Sequence, residues 1–232
     1  MAPQLFRDRT EAGQKLGEAM RKLRDEHPDM DDPVVLALPR GGVPVALEVA
    51  RMMEAPLDLL MVRKLGVPFQ PELAAGAVVN GDDPQVVIND EVMRMADLTE
   101  EDLEPIKERE LAKIDERRQR YLQGRSPLAI AGRDAIVIDD GVATGATTRA
   151  ALKALRQKNP RSLTLAIPVA PPDTVEKLKQ EVDHVVCLEA PEWFRAIGLH
   201  YANFDQVTDD EVVQMLDDAA DLARLKGRQR ES

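Results

Sequence analysis

Two adjacent carboxylates stand directly before a short turn of small and hydroxyl-bearing residues. Asp139 and Asp140 follow an apolar run at residues 136–138, and residues 141–147 read GVATGAT. The helix that follows begins without long side chains, so its unpaired N–H groups and its dipole could hold an anion. Gly145 lets the backbone approach a ligand closely, and two threonines would add hydroxyl donors. The turn is therefore predicted to bind a phosphate group.

The acid pair supplies a second kind of contact. At the carboxyl end of a strand, Asp139 and Asp140 could accept hydrogen bonds from a sugar diol or hold Mg²⁺. No lysine follows the second glycine of the turn, so the stretch is not the usual nucleotide-binding loop. A phosphorylated sugar fits both halves of the motif. The competing interpretation is an ordinary strand-turn-helix whose acids cap the helix in solvent.

This stretch resembles the signature of type I phosphoribosyltransferases. The resemblance implies that Asp139 and Asp140 bind the ribose 2- and 3-hydroxyls of 5-phosphoribosyl-1-pyrophosphate, with Mg²⁺ as cofactor. It also implies that the 5-phosphate is wrapped by Ala143, Thr144, Gly145, Ala146 and Thr147. Two residues depart from the family pattern: Gly141 replaces a branched residue, and Ala143 stands where purine-salvage members often carry an Asp. A purine-salvage mechanism therefore does not transfer directly.

Two further groups are predicted to lie at the pyrophosphate end of the donor. The sequence Pro39, Arg40, Gly41, Gly42 follows the first predicted strand and resembles the family's pyrophosphate loop. Arg63 and Lys64 end the second predicted strand, where cations could neutralise a leaving pyrophosphate. We predict Arg40 and Lys64 to be catalytic alongside the two acids. The alternatives are a plain glycine turn and two surface charges.

Apolar runs of strand length alternate with amphipathic segments of helical period. Strands are predicted at residues 34–38, 57–62, 135–138, 163–169 and 185–188, with helices between them. An amphipathic helix that includes Phe6 in its apolar stripe is predicted to open the chain. The pattern predicts an α/β fold with a central, mostly parallel sheet flanked by helices. Residues 1–232 are expected to form a single domain.

Residues 66–122 occupy the place of the family's flexible loop and are unusually long. Residues 73–79 and 86–88 are predicted to pair as a hairpin across residues 80–83. Thr99 begins a capping box for a charged helix that reaches about Leu122. Its thin apolar face predicts a projecting helix, within a segment that moves to cover the reacting centre. The elaboration resembles a bacterial subgroup with little assigned function.

Residues 189–208 are predicted to form a small C-terminal hood that holds the acceptor. The segment contains Trp193, Phe194, Tyr201 and Phe204, and we expect Phe194 to stack on a flat base while Asn203 bonds its edge. An aromatic mini-core that fixes the tail is an equal alternative. His200 is expected at the surface, Cys187 in the core, and residues beyond 209 in a solvated helix with a disordered end.

Composition narrows the class of function. The 232 residues are 44% hydrophobic and 31% charged, which is typical of a globular protein, and the net charge of −11 opposes nucleic-acid binding. One cysteine and no long apolar run predict a cytoplasmic protein without disulfides or membrane contact. A homodimer is kept as a candidate assembly. The expected activity is phosphoribosyl transfer to an unidentified acceptor, such as a nucleobase; a donor-binding regulator and a phosphosugar hydrolase are the alternatives.

Overall fold

The computed structural model describes residues 4–79 and 84–230, with only the backbone given for residues 71–72 and 223–230. Within this part of the chain the helices are α1 (Arg9–Glu26), α2 (Gly42–Met53), α3 (Asp90–Met95), α4 (Glu100–Leu122), α5 (Ala146–Gln157), α6 (Pro172–Leu178) and α7 (Asp209–Arg230). The strands are β1 (Pro33–Ala37), β2 (Leu57–Leu59), β3 (Val62–Val67), β4 (Gln70–Val79), β5 (Gln85–Ile88), β6 (Asp134–Ile138), β7 (Ser162–Val169) and β8 (His184–Glu189).

A five-stranded parallel sheet forms the centre of the molecule, in the order β2-β1-β6-β7-β8. Every residue of β6 is buried, because helices cover both faces of the sheet and leave no solvent-facing side. In the β1–β6 pair, Ala37 lies opposite Ile138. The loops that follow these two strands therefore leave the sheet side by side. The predicted α/β fold is confirmed.

The second predicted strand, residues 57–62, is divided in the structure. Only β2 joins the central sheet; the chain then turns at Leu60, whose N–H donates to the Ala37 carbonyl over 2.8 Å. β3 begins a separate antiparallel sheet in the order β3-β4-β5. Arg63 and Lys64 therefore lie inside an antiparallel strand and do not end a parallel one. The predicted hairpin pairing is confirmed for β4 and β5, and its turn lies outside the described residues.

The charged helix α4 does not project into solvent as its thin apolar face predicted. Its capping box at Thr99 is present, since the Thr99 hydroxyl accepts from the Asp102 N–H and the Asp102 carboxylate accepts from the Thr99 N–H. Ile114 and Tyr121 are almost fully buried and belong to the core cluster that also contains α1 and α2. A few well-placed apolar residues are enough to dock a helix when they share one face.

Both outer parts of the described chain pack on the central layers. Phe6 precedes α1 and forms a β-bridge with Tyr201, so it is not part of the predicted opening helix. The first half of α7 buries Val212 and Leu216, which corrects the prediction of a solvated helix; the predicted disordered end lies outside the described side chains. None of the described helices combines the length and the apolar composition needed to span a bilayer.

Candidate functional site

The turn between β6 and α5 is open to solvent at the predicted phosphate position. Gly145 adopts a left-handed conformation with φ of 76°, and α5 begins at the next residue without a side-chain cap. The first N–H groups of α5 are therefore free of side-chain capping. From α6, the Thr174 hydroxyl donates to the Ala143 carbonyl over 2.8 Å and fixes the turn. The remaining predicted contacts in this turn are exposed: Ala143, Thr144, Ala146 and Thr147.

Asp140 is held by two residues that the sequence did not single out for this role. Arg9 Nε donates to Asp140 Oδ2 over 2.8 Å, and both side chains are almost buried, at 12% and 10% exposed. The Tyr201 hydroxyl donates to the main-chain carbonyl of Asp140 over 2.6 Å. Burial raises the pKa of the Asp140 carboxyl, and the positive charge of Arg9 opposes that rise. The ion pair compensates a buried carboxylate that would otherwise be costly.

Asp139 faces a cavity, and its carboxyl differs from that of Asp140. Its Oδ1 accepts from the Asp140 N–H over 2.9 Å. Burial and the negative charge of Asp140 raise the pKa of Asp139 well above its usual range. A cation or a hydrogen-bond donor that enters the cavity would stabilise the ionised form of the Asp139 carboxyl.

Two glycines allow the neighbouring segments to approach the acids. A Cβ atom on Gly41 would lie 2.1 Å from Asp140 Oδ2, so any side chain at this position would displace the Asp140 carboxylate. A Cβ atom on Gly141 would lie 2.7 Å from the Ile197 side chain, which explains the glycine at this departure from the family pattern. The predicted loop of Pro39 to Gly42 thus lies directly beside the acid pair. The peptide bond between Pro39 and Arg40 is cis.

Arg40 is held by the first residue of α7. Its Nη1 lies 3.4 Å from Asp209 Oδ1. The same carboxylate accepts from the Tyr121 hydroxyl over 2.5 Å and pairs with Arg120 over 2.5 Å, so α4 and α7 meet at this point. Hydrogen bonding from Tyr121 and the nearby arginines lower the pKa of Asp209, which keeps it ionised.

A cavity of about 120 Å³ joins the two loops. Pro39, Asp139 and Thr147 line it from the sheet edge and the start of α5. Arg63 from β3 and Arg117 from α4 line it from the other side. Of the predicted cation pair, the structure therefore brings Arg63 to the acids. Arg117 has no signal in the sequence that separates it from the other arginines of this charged helix.

Lys64 lines a neighbouring cleft of about 540 Å³ between β3 and α4. Arg63 faces this cleft as well, and its Nε lies 3.7 Å from Glu110 Oε2. Glu110 also accepts from Lys113 over 2.7 Å. The catalytic role of Lys64 stays a prediction, because the structure places this residue beside the acid-lined cavity and not in its lining.

The hood contains a packed aromatic cluster. Phe194 stacks on His200 with ring centroids 5.0 Å apart, and Arg9 lies 3.8 Å over the ring of Phe204. Asn203 Oδ1 accepts from the N–H of Asp205 over 3.1 Å. The mini-core alternative thus describes the local packing, while the roles of Phe194 and Asn203 toward an acceptor stay predictions.

Three residues in or beside the hood differ in their exposure to solvent. His200 is completely buried, which corrects its predicted surface position, because the hood folds over its ring. Trp193 remains 87% exposed. Cys187 is half-buried, and burial raises the pKa of its thiol to about 11, which makes it a poor nucleophile.

The two acids offer a partial ligand set for Mg²⁺. Among the described residues no group of three or more His, Cys, Asp or Glu side chains could hold a metal ion. Asp140 Oδ2 is already paired with Arg9, whereas the carboxylate of Asp139 lines the cavity. Mg²⁺ commonly takes one or two carboxylates and completes its shell with water and substrate phosphates. The donor set fits that pattern, with Asp139 as the more accessible ligand.

Comparison with known proteins gives matches of three kinds: a family profile, curated relatives and a crystal structure. The sequence profile of the family described as "Phosphoribosyl transferase domain" matches residues 7–202. Proteins from two strains of Mycobacterium tuberculosis, each named "Putative phosphoribosyl transferase", are 45% identical over 215 residues, or 93% of this chain and 47% of their own length. The chain thus spans about half the length of these curated relatives. The crystal structure of TT1426 from Thermus thermophilus is 44% identical, covers 91% of this chain and 97% of its own, and superposes with a TM-score of 0.80.

Proposed function

The chain belongs to the phosphoribosyl transferase domain family, and from that premise we propose that it transfers the 5-phosphoribosyl group of 5-phosphoribosyl-1-pyrophosphate to an acceptor and releases pyrophosphate. One observation carries the proposal. The phosphate turn after β6, the acid pair and the loop after β1 meet at one edge of the parallel sheet, around a shared cavity. The carboxyl edge is where open parallel sheets bind ligands.

Each part of the site has a role that follows from its chemistry. The turn of residues 143–147 binds the 5-phosphate through N–H groups and hydroxyls. Asp139 accepts from the ribose hydroxyls, while Asp140, already paired with Arg9, makes the smaller direct contribution. Arg40 and Arg63 act on the pyrophosphate, and Lys64 would join them if its side chain turns toward the cavity.

Transfer requires the bond between ribose carbon 1 and pyrophosphate to break as the acceptor attacks. Negative charge grows on the leaving oxygen, and preformed cations stabilise that charge more strongly in the transition state than in the ground state. Mg²⁺, held by Asp139 and by substrate oxygens, would add charge neutralisation. The protein's own contribution is therefore positional and electrostatic.

Donor binding tests the assignment of the acids. Titration calorimetry with 5-phosphoribosyl-1-pyrophosphate and Mg²⁺ should show binding that Asp139→Asn weakens and that Asp139→Asn with Asp140→Asn abolishes. Each lost charge-assisted hydrogen bond costs about 1.5–3 kcal/mol. The control is Asp173→Asn with Asp210→Asn, which changes two exposed carboxylates by the same chemistry. Undiminished affinity in folded site variants would remove the proposed role of the acids.

A donor-binding regulator is the second candidate function. The observation in its favour is that the ring of Phe194, the predicted stacking contact for an acceptor, is already stacked on His200 within the hood. A mass-spectrometric screen separates the two functions. The protein, Mg²⁺ and the donor are incubated with a panel of nucleobases and amines, and products are examined for the added phosphoribosyl mass. An enzyme releases pyrophosphate with one of these acceptors; a regulator binds the donor and leaves it intact.

A further inference from the structure

The long helix of the insertion brings an arginine to the cavity that contains Asp139. We propose that Arg117 of α4 is a donor-binding residue that contacts the pyrophosphate group. This inference rests on the proposed function and extends it, because it makes the insertion a permanent wall of the site. Arg117 lines the cavity together with Pro39, Arg63 and Asp139.

The position of Arg117 on its helix aims it at the pyrophosphate end. Ile114 and Tyr121 lie three residues before it and four residues after it, which places all three on one face of α4. Ile114 and Tyr121 are buried, and Ile114 lines the same cavity. Burial and Asp209 raise the pKa of Tyr121, and the positive charges of Arg117 and Arg40 oppose that rise. Both guanidinium groups therefore lie near one phenol.

Among the described residues, Arg117 and Arg118 are the two cations of α4 without an ion pair, and of these two Arg117 lines the cavity. The other cations of the helix are engaged: Lys107 with Glu104, Arg109 and Lys113 with Glu110, and Arg120 with Asp209. Arg117 has no hydrogen bond or ion pair with a residue that the structure describes. A guanidinium offers five donors in a planar fork that matches phosphate oxygens. These donors are available to a ligand in the cavity.

The helix segment that carries Arg117 is anchored before any ligand arrives. Tyr121, one turn further along α4, donates to Asp209, and Arg120 pairs with the same carboxylate. Asp209 in turn holds Arg40 in the loop after β1. Asp209 thus fixes both the Arg40 side chain and the part of α4 that carries Arg117. A fixed helix backbone limits the freedom that remains to be lost when Arg117 binds an anion.

Direct binding of three ligands tests the proposal. The variants are Arg117→Ala, Arg117→Lys and, as the matched control, Arg21→Ala, which removes an exposed arginine from α1. Calorimetry is performed with the donor and Mg²⁺, with inorganic pyrophosphate and Mg²⁺, and with ribose 5-phosphate. Arg117→Ala should bind the donor and pyrophosphate about tenfold to a hundredfold more weakly, since one charge-assisted contact is lost. Arg117→Lys should fall between, and Arg21→Ala should match the wild type.

Ribose 5-phosphate separates a pyrophosphate contact from general damage to the site. Its affinity should be the same in Arg117→Ala and the wild type. The inference is wrong if Arg117→Ala loses affinity equally for all three ligands, or if its pyrophosphate affinity is unchanged. In either case, donor binding by the wild type still supports the proposed function. If the wild type binds pyrophosphate but not the donor, the proposed function fails, and the pyrophosphate measurements still decide the role of Arg117.

Discussion

The two adjacent acids have different surroundings. Asp140 pairs with Arg9 and lies against Gly41, whereas Asp139 faces the cavity. Adjacent residues after a strand point to different sides, so one carboxylate can anchor the backbone while the other meets the ligand. The sequence motif predicted both acids but not this division, because Arg9 lies 131 residues away along the chain. Nothing local to residues 139–147 marks such a partner.

Replacing Arg40 or Lys64 with alanine should change the kinetics of the reaction. Arg40→Ala should lower turnover more than it weakens donor binding, because it would act on charge that grows as pyrophosphate leaves. Removing one such donor costs about 2.7–4 kcal/mol in the barrier, or roughly a hundredfold to a thousandfold in rate. Lys64→Ala should show the same direction if Lys64 reaches the cavity from its neighbouring cleft. The measurements are steady-state kinetics with an acceptor identified in the screen and a separate donor affinity.

Lys179→Ala is the control for both substitutions, because Lys179 is an exposed cation that pairs across one turn with Glu176. A Lys64→Ala enzyme that behaves like this control would leave Arg40 and Arg63 as the pyrophosphate cations. If Arg40→Ala behaves like the Lys179→Ala control, the loop after β1 takes no part in the catalytic step.

Among the elements, the insertion departs furthest from what its sequence indicated. Its boundary with the central sheet is an example: residues 57–65 are mostly apolar, with Asp58, Arg63 and Lys64 as the exceptions, and the turn between β2 and β3 carries no glycine or proline signal. The alternation of strands and helices elsewhere was predictable, since apolar runs bounded by turn residues repeat along the chain. Docking of α4 was not, because a thin apolar face says nothing about the partner surface that receives it.

Hydrogen exchange tests how much of the insertion moves. We expect residues 110–122 of α4 to exchange slowly with and without ligand, because Ile114 and Tyr121 are buried in the main core. Slowing on addition of donor and Mg²⁺ should be confined to residues 66–70, near the exposed Phe69, and to α3. Peptides from β7 serve as the reference that no ligand alters. If residues 110–122 instead exchange fast and become slow on binding, the whole segment of residues 66–122 moves as the sequence predicted.

For the molecule as a whole, the hood and the first helix close one side of the site together. Phe6 and Tyr201 bridge, and Arg9 reaches from α1 to both Asp140 and the Asp205 carbonyl. His200 is buried within this closure, and neither of its ring nitrogens has a hydrogen-bond partner among the described residues. Aromatic composition indicated a cluster here, but the burial of one histidine depends on contacts from the opposite end of the chain.

Burial lowers the pKa of His200 below its ordinary value of 6.5, which predicts acid sensitivity. Below pH 6.5 the unfolded chain takes up a proton that the folded chain excludes, so this histidine's contribution to stability is full above pH 6.5 and falls as the pH drops. The loss is at most about 1.4 kcal/mol per pH unit. His200→Phe keeps a ring against Phe194 and removes the titration. Denaturant unfolding from pH 7.5 to 5 should show the wild type losing stability relative to this variant.

An unchanged difference in the free energy of unfolding across that range would show that His200 is solvated in both states. Leu199→Ala serves as the control, because it changes an exposed residue of the hood and removes no titrating group. This variant should follow the wild type with pH.

The contact between Arg9 and the hood also constrains the order in which the site can be completed during synthesis. Arg9 and the Asp205 carbonyl are separated by 196 residues, and Tyr201 follows Asp140 by 61. When the acid motif leaves the ribosome, its arginine has long been available, but the tyrosine that holds its backbone has not yet been made. Domains generally fold as units as the chain emerges. A nascent chain or a truncated product that ends after α5 therefore carries the whole signature yet lacks the hood that fixes it, and it should not compete with the finished protein for the donor.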